Sequence, residues 1–406
     1  MTAVGIVAEY NPFHLGHAWH IAQTRRLLEE DRPVVCVMSG HWVQGADCAV
    51  TDKWTRAGLA LEGGADLVLE LPTPWAMASA EAFARGAVSI LAATGVVDTL
   101  SFGSECGSAD ELRQAAEALD APDFPARLRA ALGKGLSFPA ARQEAANCSC
   151  LSTPNNNLGV EYLRALHHLS ASMEVVTVPR RGAEHNSSRT VEGFASATQI
   201  RRLLRSGQRE EAALLVCPNA LDRMDTVSSL SHIERAILAK LRTMDASDWA
   251  ALPDSGAAEG LPERLVRAAR QALSLDEFYS LAKTKRYTHA RLRRLALSAF
   301  LGVTTDRPAL PPYVRVLGLN SRGQALLKEM KRTCPLPILT KPAQARDLTG
   351  PARQLFEAEV RYTDLSGVCY PIPRPCGLVW TPRPVIKKKK SGAVNPATLF
   401  YCFSFP

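Results

Sequence analysis

The chain contains no CxxC pair, and the closest of its ten cysteines are Cys148 and Cys150. That spacing excludes a zinc ribbon, whose ligands come in paired knuckles, and it gives no disulfide framework of the kind small exported domains use. Reduced thiols in a cytoplasmic protein are the expectation that remains. No apolar run reaches bilayer-spanning length, because charged residues, Gly or Pro interrupt every candidate. A basic segment followed by an apolar stretch and a small-residue cleavage site is also missing at the N-terminus, so no secretory signal is expected. There is no internal repeat, which excludes a solenoid.

What is present describes a folded protein. Of the 406 residues, 46% are hydrophobic and 22% charged, a globular composition with length enough for two or three domains. The net charge of +8 hides an imbalance: residues 1–200 hold 15 Lys+Arg and 22 Asp+Glu, whereas residues 201–406 hold 33 and 18. A basic second half beneath a mildly acidic first half points to a polyanion held by the C-terminal part.

In the first half, short apolar runs alternate with helical spacing. Strands are expected at Val4–Ala8, "PVVCVMSG" (33–40), "ADLVLELP" (65–72), "VDTLSFGSE" (97–105) and "SMEVVTVPR" (172–180). Helices are expected over Trp19–Glu30, over "TDKWTRAGLALEGG", stopped by two glycines, and over "SAEAFARGAVSILAATG" (79–95). Continuous apolar strands between helices specify a parallel sheet covered on both faces, a doubly wound α/β domain whose ligand site lies beyond the strand C-termini. From about residue 196 the spacing becomes mostly helical, beginning with "SATQIRRLLRSGQREEAALLV", where Ser196 is placed to cap. "ALPDSGAAEGLPE" reads as a loop, and the Pro-rich tail from about residue 366 ends beyond "KKKK". The expected division is 1–205, a nucleotide-binding α/β domain; 206–365, a helical basic domain; and 366–406, a Pro/Lys-rich tail.

One stretch carries chemistry. "GIVAEYNPFHLGHAWH" (5–20) ends a buried strand, turns at Asn11-Pro12, and places His14 and His17 about one turn apart where a helix begins. A helix N-terminus offers unpaired N–H groups and partial positive charge to an anion. Gly16 lets a nucleotide approach the backbone. Two imidazoles there can donate to phosphate oxygens as charge builds during displacement at the α-phosphate. For an isolated HxGH the bland alternative is a helix cap plus a surface histidine; the strand–turn–helix context favours the functional reading. Zinc is a third option, without a Cys or carboxylate cluster in the sequence to support it.

Together "VAEYNPFHLGH", "VMSGHWVQGADCAVTDKWTRAGLALEGGADLVLELP", "SFGSE", "TPNNNLGVEYLRAL", "SATQIR" and "TKRYTHARLRRLAL" resemble the bacterial tRNA(Met) cytidine acetate ligase family, within the HxGH nucleotidylyltransferase superfamily. The resemblance implies a Rossmann-like catalytic domain of the HUP type. It also implies an ATP-dependent ligase: acetate attacks the α-phosphate, pyrophosphate leaves, and the N4 amine of the wobble cytidine of elongator tRNA(Met) takes the acetyl group, giving N4-acetylcytidine and AMP. By resemblance His14 and His17 are catalytic. ATP contacts fall on Val7, Ala8, Glu9, Tyr10, Asn11, Pro12, Phe13, His14, Leu15, Gly16, His17 and His20, on Gly103, Asn155 and Arg180, and on the second phosphate signature at Ser196 and Thr198. Each has a physical rationale: glycine after a strand gives clearance, an amide reads a base or ribose, and arginine clamps phosphate. Mg²⁺ is expected with ATP, but no metal ligand is identifiable. The chain departs from the family pattern at His41, Trp42 and Gly45, and around His185.

The basic run "KTKRYTHARLRRLALSAF" (283–300) is expected to form a helical face with Lys285, Arg286 and Arg293 toward tRNA phosphates. Such contacts position an RNA without reading its sequence. Two other readings share the HxGH site: a small-molecule adenylyltransferase, which needs no large basic half, and a noncatalytic nucleotide-sensing RNA-binding protein. An aminoacyl-tRNA synthetase has less support, since no KMSKS-like lysine loop follows the sheet.

Overall fold

The computed structural model describes residues 2–180, 195–256 and 260–387. The expected strands all form: β1 (Ala3–Ala8), β2 (Val34–Ser39), β3 (Leu67–Leu71), β4 (Val97–Ser104) and β5 (Glu174–Pro179). They pair in parallel in the order β3-β2-β1-β4-β5. Every residue of β2 and β3 is buried, as continuous apolar strands in a two-face-covered sheet require. The order reverses between β1 and β4, so the crevice beyond their C-terminal ends is the topological switch point.

Helices α1 (Leu15–Leu27), α2 (Lys53–Glu62) and α3 (Ala80–Ala93) connect the first four strands. Beyond β4, α4 (Ala109–Asp120) and α5 (Pro154–His168) lead to β5. Asp52 caps α2 by accepting from the N–H groups of Trp54 and Thr55. The helix stops at the expected glycines. Gly63 is required sterically, since a Cβ there would lie 2.1 Å from Phe13 Cζ, so the loop after β1 can seat Phe13 only against a glycine.

The second half is mostly helical, as expected, with one addition. β6 (Val314–Leu319) returns to the first sheet and pairs antiparallel with β3. The two-residue strand β7 (Ile338–Leu339) lies beside β6, and β8 (Val385–Ile386), from the expected tail, joins its other side. The apolar run "YVRVLGL" has strand spacing, but its position among helices hid it. Between α/β domain and β6 the helices do dominate: α6 (Ala197–Arg205), α7 (Glu234–Arg242), α8 (Leu261–Gln271), α9 (Leu275–Ala282) and α10 (His289–Leu301). The last four build a separate core around Ile237, Leu241, Trp249, Phe278, Leu292 and Leu295. After β6 come α11 (Ser321–Thr333) and α12 (Gly350–Gly367). No described helix is long and apolar enough to cross a membrane.

One buried cluster in the fold is ionic. Glu70 lies in fully buried β3 and meets Lys53 Nζ at 2.5 Å, with Arg315 Nε of β6 at 3.6 Å. Lys53 is itself completely buried. Gly40 makes the room, as a Cβ there would stand 2.7 Å from Glu70 Oε1. Buried Glu359 of α12 accepts from the Thr73 N–H (2.6 Å) and hydroxyl (3.0 Å), and burial followed by the Glu70 charge raises its pKa to about 7. These contacts join the C-terminal helix to the loop after β3. Removing one partner of a buried pair leaves an uncompensated charge. Lys53→Met is therefore expected to cost roughly 3–5 kcal/mol in denaturant unfolding, whereas Arg113→Ala, which breaks an exposed pair with Asp110, should cost about 1 kcal/mol or less.

Candidate active site at the switch point of the sheet

The chain leaves β1 through Glu9 and Tyr10, whose φ of +47° turns it sharply into Asn11-Pro12, a cis peptide. Buried contacts fix this loop. Tyr10 packs edge-on against Phe13 and His17, both at 4.8 Å between ring centroids, and its hydroxyl lies 3.3 Å from Cys36 Sγ. Asn11 Oδ1 accepts from Val50 N–H at 2.8 Å. The wholly buried Arg56 donates to the Glu9 carbonyl (2.7 Å), the Ser39 carbonyl (3.1 Å) and the Gly40 carbonyl, clamping the loops after β1 and β2 together.

His14 and His17 form a reciprocal cap at the start of α1. His14 Nδ1 accepts from Gly16 N–H at 3.1 Å, and His17 Nδ1 accepts from His14 N–H at 3.2 Å. The rings stack at 3.7 Å. A ring nitrogen that accepts carries no proton, so each neutral imidazole bears its hydrogen on Nε2. Neutrality is enforced from outside. Burial, then the charges of Arg180 and Arg201, lower the His14 pKa to about 3. Burial, then the neighbouring His14, holds His17 well below the ordinary histidine value. Burial and Arg180 bring His20 to about 4, and its Nε2 lies 3.1 Å from Ser101 Oγ of β4.

The α1 terminus differs from expectation in one respect. Its first N–H groups are not open to an anion: Leu15 N–H reaches the Leu215 carbonyl at 3.3 Å and Gly16 N–H is taken by His14. The donors left at this end are the imidazole Nε2–H groups. Helix α6 supplies a second terminus. Ser196 caps it by accepting from Gln199 N–H at 3.1 Å, and Thr198 Oγ1 accepts from Arg201 at 3.0 Å. Arg201 also donates to the Asn11 carbonyl at 2.9 Å, binding α6 to the histidine loop.

Gly103, Asn155 and Arg180 meet across the ends of β4 and β5. Arg180 N–H bonds the Ser104 carbonyl (3.0 Å), and its guanidinium donates to Asn155 Oδ1 (3.2 Å). Asn155 Nδ2 donates to Glu105 Oε1 at 2.6 Å, while Glu105 Oε2 accepts from Asn156 N–H at 2.8 Å. Glu105 thus closes the N-terminus of α5, and these bonds keep its carboxyl below the usual range against the opposing effect of burial. A Cβ on Gly103 would meet Arg180 Cγ at 3.5 Å and the Val178 carbonyl oxygen at 3.8 Å, both ordinary contacts. The protein itself therefore has room for a Cβ there. Val7 and Ala8 end β1 and are half-buried.

The departures at 41–45 belong to packing. Trp42 is fully buried and donates from Nε1 to the Tyr362 carbonyl at 2.8 Å; His41 Nδ1 lies 3.3 Å from Thr363 Oγ1. Both hold the α/β domain to α12. Gly45 has open space at its Cβ. His185 lies outside the described residues.

The basic run is only partly the helix expected. Lys285 and Arg286 lie in the turn before α10, which Thr288 caps at Arg291 N–H. Arg291 and Arg294 face Asp254 at 3.3 and 3.1 Å. Lys285, Arg286 and Arg293 are exposed, with the Arg293 guanidinium 5.7 Å from the Tyr279 ring centre. Sequence reasoning missed Arg201, Arg56 and Glu105. Arg201 follows Thr198 by three residues on a helix that was identified, so that signal was available; nothing distinguished Arg56 from a surface arginine.

Comparison with known proteins identifies the family and the fold. A family model described as HIGH Nucleotidyl Transferase matches residues 1–375. A protein of Caldanaerobacter subterraneus subsp. tengcongensis named tRNA(Met) cytidine acetate ligase is 36% identical over 397 residues, 91% of this chain and 96% of that one. A protein of the same name from Clostridium perfringens is 36% identical over 389 residues, 90% and 94% of the two chains. The crystal structure of Thermotoga maritima TmcAL in its apo form superposes with a TM-score of 0.89 at 30% identity, covering 96% of this chain and all of the other. The same protein bound with alpha-thio ATP gives 0.87.

The depressed histidine pKa values have a measurable consequence. A histidine held neutral in the folded protein binds its proton only after unfolding once pH drops below about 6.5. Its contribution is present above that pH and is lost as pH falls toward the folded-state values of about 3 for His14 and about 4 for His20. Stability of the wild type should fall between pH 6.5 and 4, and His20→Gln should flatten that dependence in denaturant titrations; an identical pH slope would mean that His20 is not held neutral.

Proposed function

This chain belongs to the tRNA(Met) cytidine acetate ligase family, and we propose that it joins acetate to the wobble cytidine of elongator tRNA(Met) at the expense of ATP. The observation that carries the proposal is the pair of Nε2–H donors on His14 and His17, set beside Arg180, Arg201 and the cap of α6 at the switch point. The alpha-thio ATP carried by the Thermotoga maritima neighbour supports a nucleotide in this fold.

In the proposed reaction a carboxylate oxygen of acetate attacks the α-phosphorus. The bond from that phosphorus to the bridging oxygen breaks, and pyrophosphate leaves with the electron pair. Negative charge on the phosphate oxygens grows through this step, so preorganised donors hold the transition state more tightly than the ground state. Neutral imidazoles are suited to the task because they donate without the cost of burying two more cations. Arg180 and Arg201 supply the positive charge instead, and Ser196 and Thr198 position a second helix end for the phosphate tail. The cytidine N4 amine then attacks the acyl carbon of acetyl-adenylate, AMP departs, and the amine loses a proton. Magnesium is the expected companion of ATP phosphates; Glu105 is bonded at both oxygens by the first turn of α5, whereas Glu9 accepts from Gln44 N–H on one oxygen and would be the carboxylate nearer to hand for it. No step is routed through it.

Exposed Lys285, Arg286 and Arg293 are proposed to hold tRNA phosphates, and the basic second half supports this. With these substrates the protein acts in the cytoplasm. The division at about residue 205 separates chemistry from RNA binding in this reading, although β6 crosses back.

The test supplies ATP, acetate and bacterial tRNA and measures pyrophosphate together with nucleoside mass. Acetate-dependent pyrophosphate and a cytidine heavier by an acetyl group are expected. Pyrophosphate that requires a phosphorylated metabolite would instead identify an adenylyltransferase, and ATP binding without release would identify a sensor. His14→Ala and His17→Ala should each lower turnover by about 100-fold or more while tRNA affinity stays intact. Arg293→Ala should weaken tRNA binding and reduce the slope of log K against log salt by about 0.9; an unchanged slope removes that residue from the interface.

A further inference from the structure

Outside the nucleotide crevice, one group of reactive side chains is brought together without a role in the chemistry above. Cys148 precedes, and Cys150 lies within, the short turn Ser149–Ser152 that leads into α5. Their sulfurs lie 2.9 Å apart. Cys148 is partly exposed, whereas Cys150 is buried at 5% exposure against the core that includes Leu112 and Ala146. Burial, and then the contact with Cys148, raise the Cys150 pKa, and either sulfur can donate to the other. Glu111 brings a carboxylate oxygen within 4.8 Å of both.

We propose that Cys148 and Cys150 form a redox modification site, in which a hydroperoxide oxidises Cys148 and Cys150 closes the intramolecular disulfide. The Cys148 thiolate attacks the peroxide oxygen, the O–O bond breaks, and hydroxide leaves to give a sulfenic acid. The Cys150 sulfur then displaces the sulfenic oxygen as water, after giving up its own proton. Overall two thiols and one hydrogen peroxide yield one disulfide and two waters. The division of labour follows from access: the attacked sulfur is the partly exposed one, and the resolving sulfur is already seated behind it. A metal centre fits less well. Two sulfurs bound to one tetrahedral zinc ion sit about 3.8 Å apart, so the 2.9 Å approach leaves the pair nearer to bonding one another than to sharing an ion. Cys48 and Cys369 provide an internal control. They too are close enough to interact, but they are 1% and 0% exposed and so shielded from peroxide.

The test treats the full-length reduced protein with hydrogen peroxide, then alkylates it under denaturing conditions and maps the peptides. The expected result is a Cys148–Cys150 peptide lighter by two hydrogens, restored by dithiothreitol, with Cys48 and Cys369 still alkylated. Cys150→Ser should stop at a sulfenic acid on Cys148 that dimedone traps, and Cys148→Ser should give neither product. Full alkylation of both thiols after peroxide, a bond to Cys106 instead, or a stoichiometric thiophilic metal that Glu111→Gln releases would each overturn the proposal.

Discussion

Two backbone N–H groups that donate to imidazole nitrogens determine the character of this site. By taking Gly16 N–H and His14 N–H on their Nδ1 atoms, His14 and His17 end one problem and create one opportunity. The problem is the orphan donors at a helix start, which must be satisfied once buried. The opportunity is that both rings are locked in orientation and tautomer, each with one hydrogen left to give. The helix cap and the candidate phosphate-binding group are thus one structure. The bland and the functional interpretations of an HxGH sequence are not alternatives here.

Everything around the pair serves to hold that state. Tyr10 and Phe13 pack against the His17 ring, with Phe13 admitted only because Gly63 has no side chain. Arg56 fixes the loop's carbonyls from the side of α2. Burial lowers the pKa of each histidine; the charges of Arg180 and Arg201 add to this at His14, and of the two only Arg180 adds to it at His17 and His20. Both guanidiniums are themselves tethered, Arg180 to Asn155 and Arg201 to the Asn11 carbonyl and Thr198. Residues far apart in the chain therefore converge on one small volume because the strand order reverses between β1 and β4.

The legible part of this was what depends on local pattern. Five parallel strands could be seen as apolar runs, and α1 and α6 began where turn and cap residues said they would. What stayed hidden depends on tertiary partners. β6 lies between helices in sequence and joins the sheet antiparallel, so no βαβ rhythm announces it. The basic run looked continuous, yet a turn ends at Thr288 and Asp254 engages two of its arginines. The open N–H groups expected at α1 proved to be occupied by a carbonyl and an imidazole, neither of which a motif can report. The ionic cluster of Lys53, Glu70 and Arg315 was likewise invisible, since charged residues in sequence imply exposure until a structure buries them.

The central claim is that His14 and His17 are neutral with the hydrogen on Nε2, facing the nucleotide phosphates. Nitrogen-15 correlation spectra of the imidazole rings, recorded from pH 7 down to pH 5 without and with alpha-thio ATP, test it most directly. The account predicts Nε2–H tautomers for both rings throughout that range, and a shift of the Nε2 resonances when the analogue binds. Rings that titrate near pH 6.5, carry the proton on Nδ1, or ignore the analogue would contradict it.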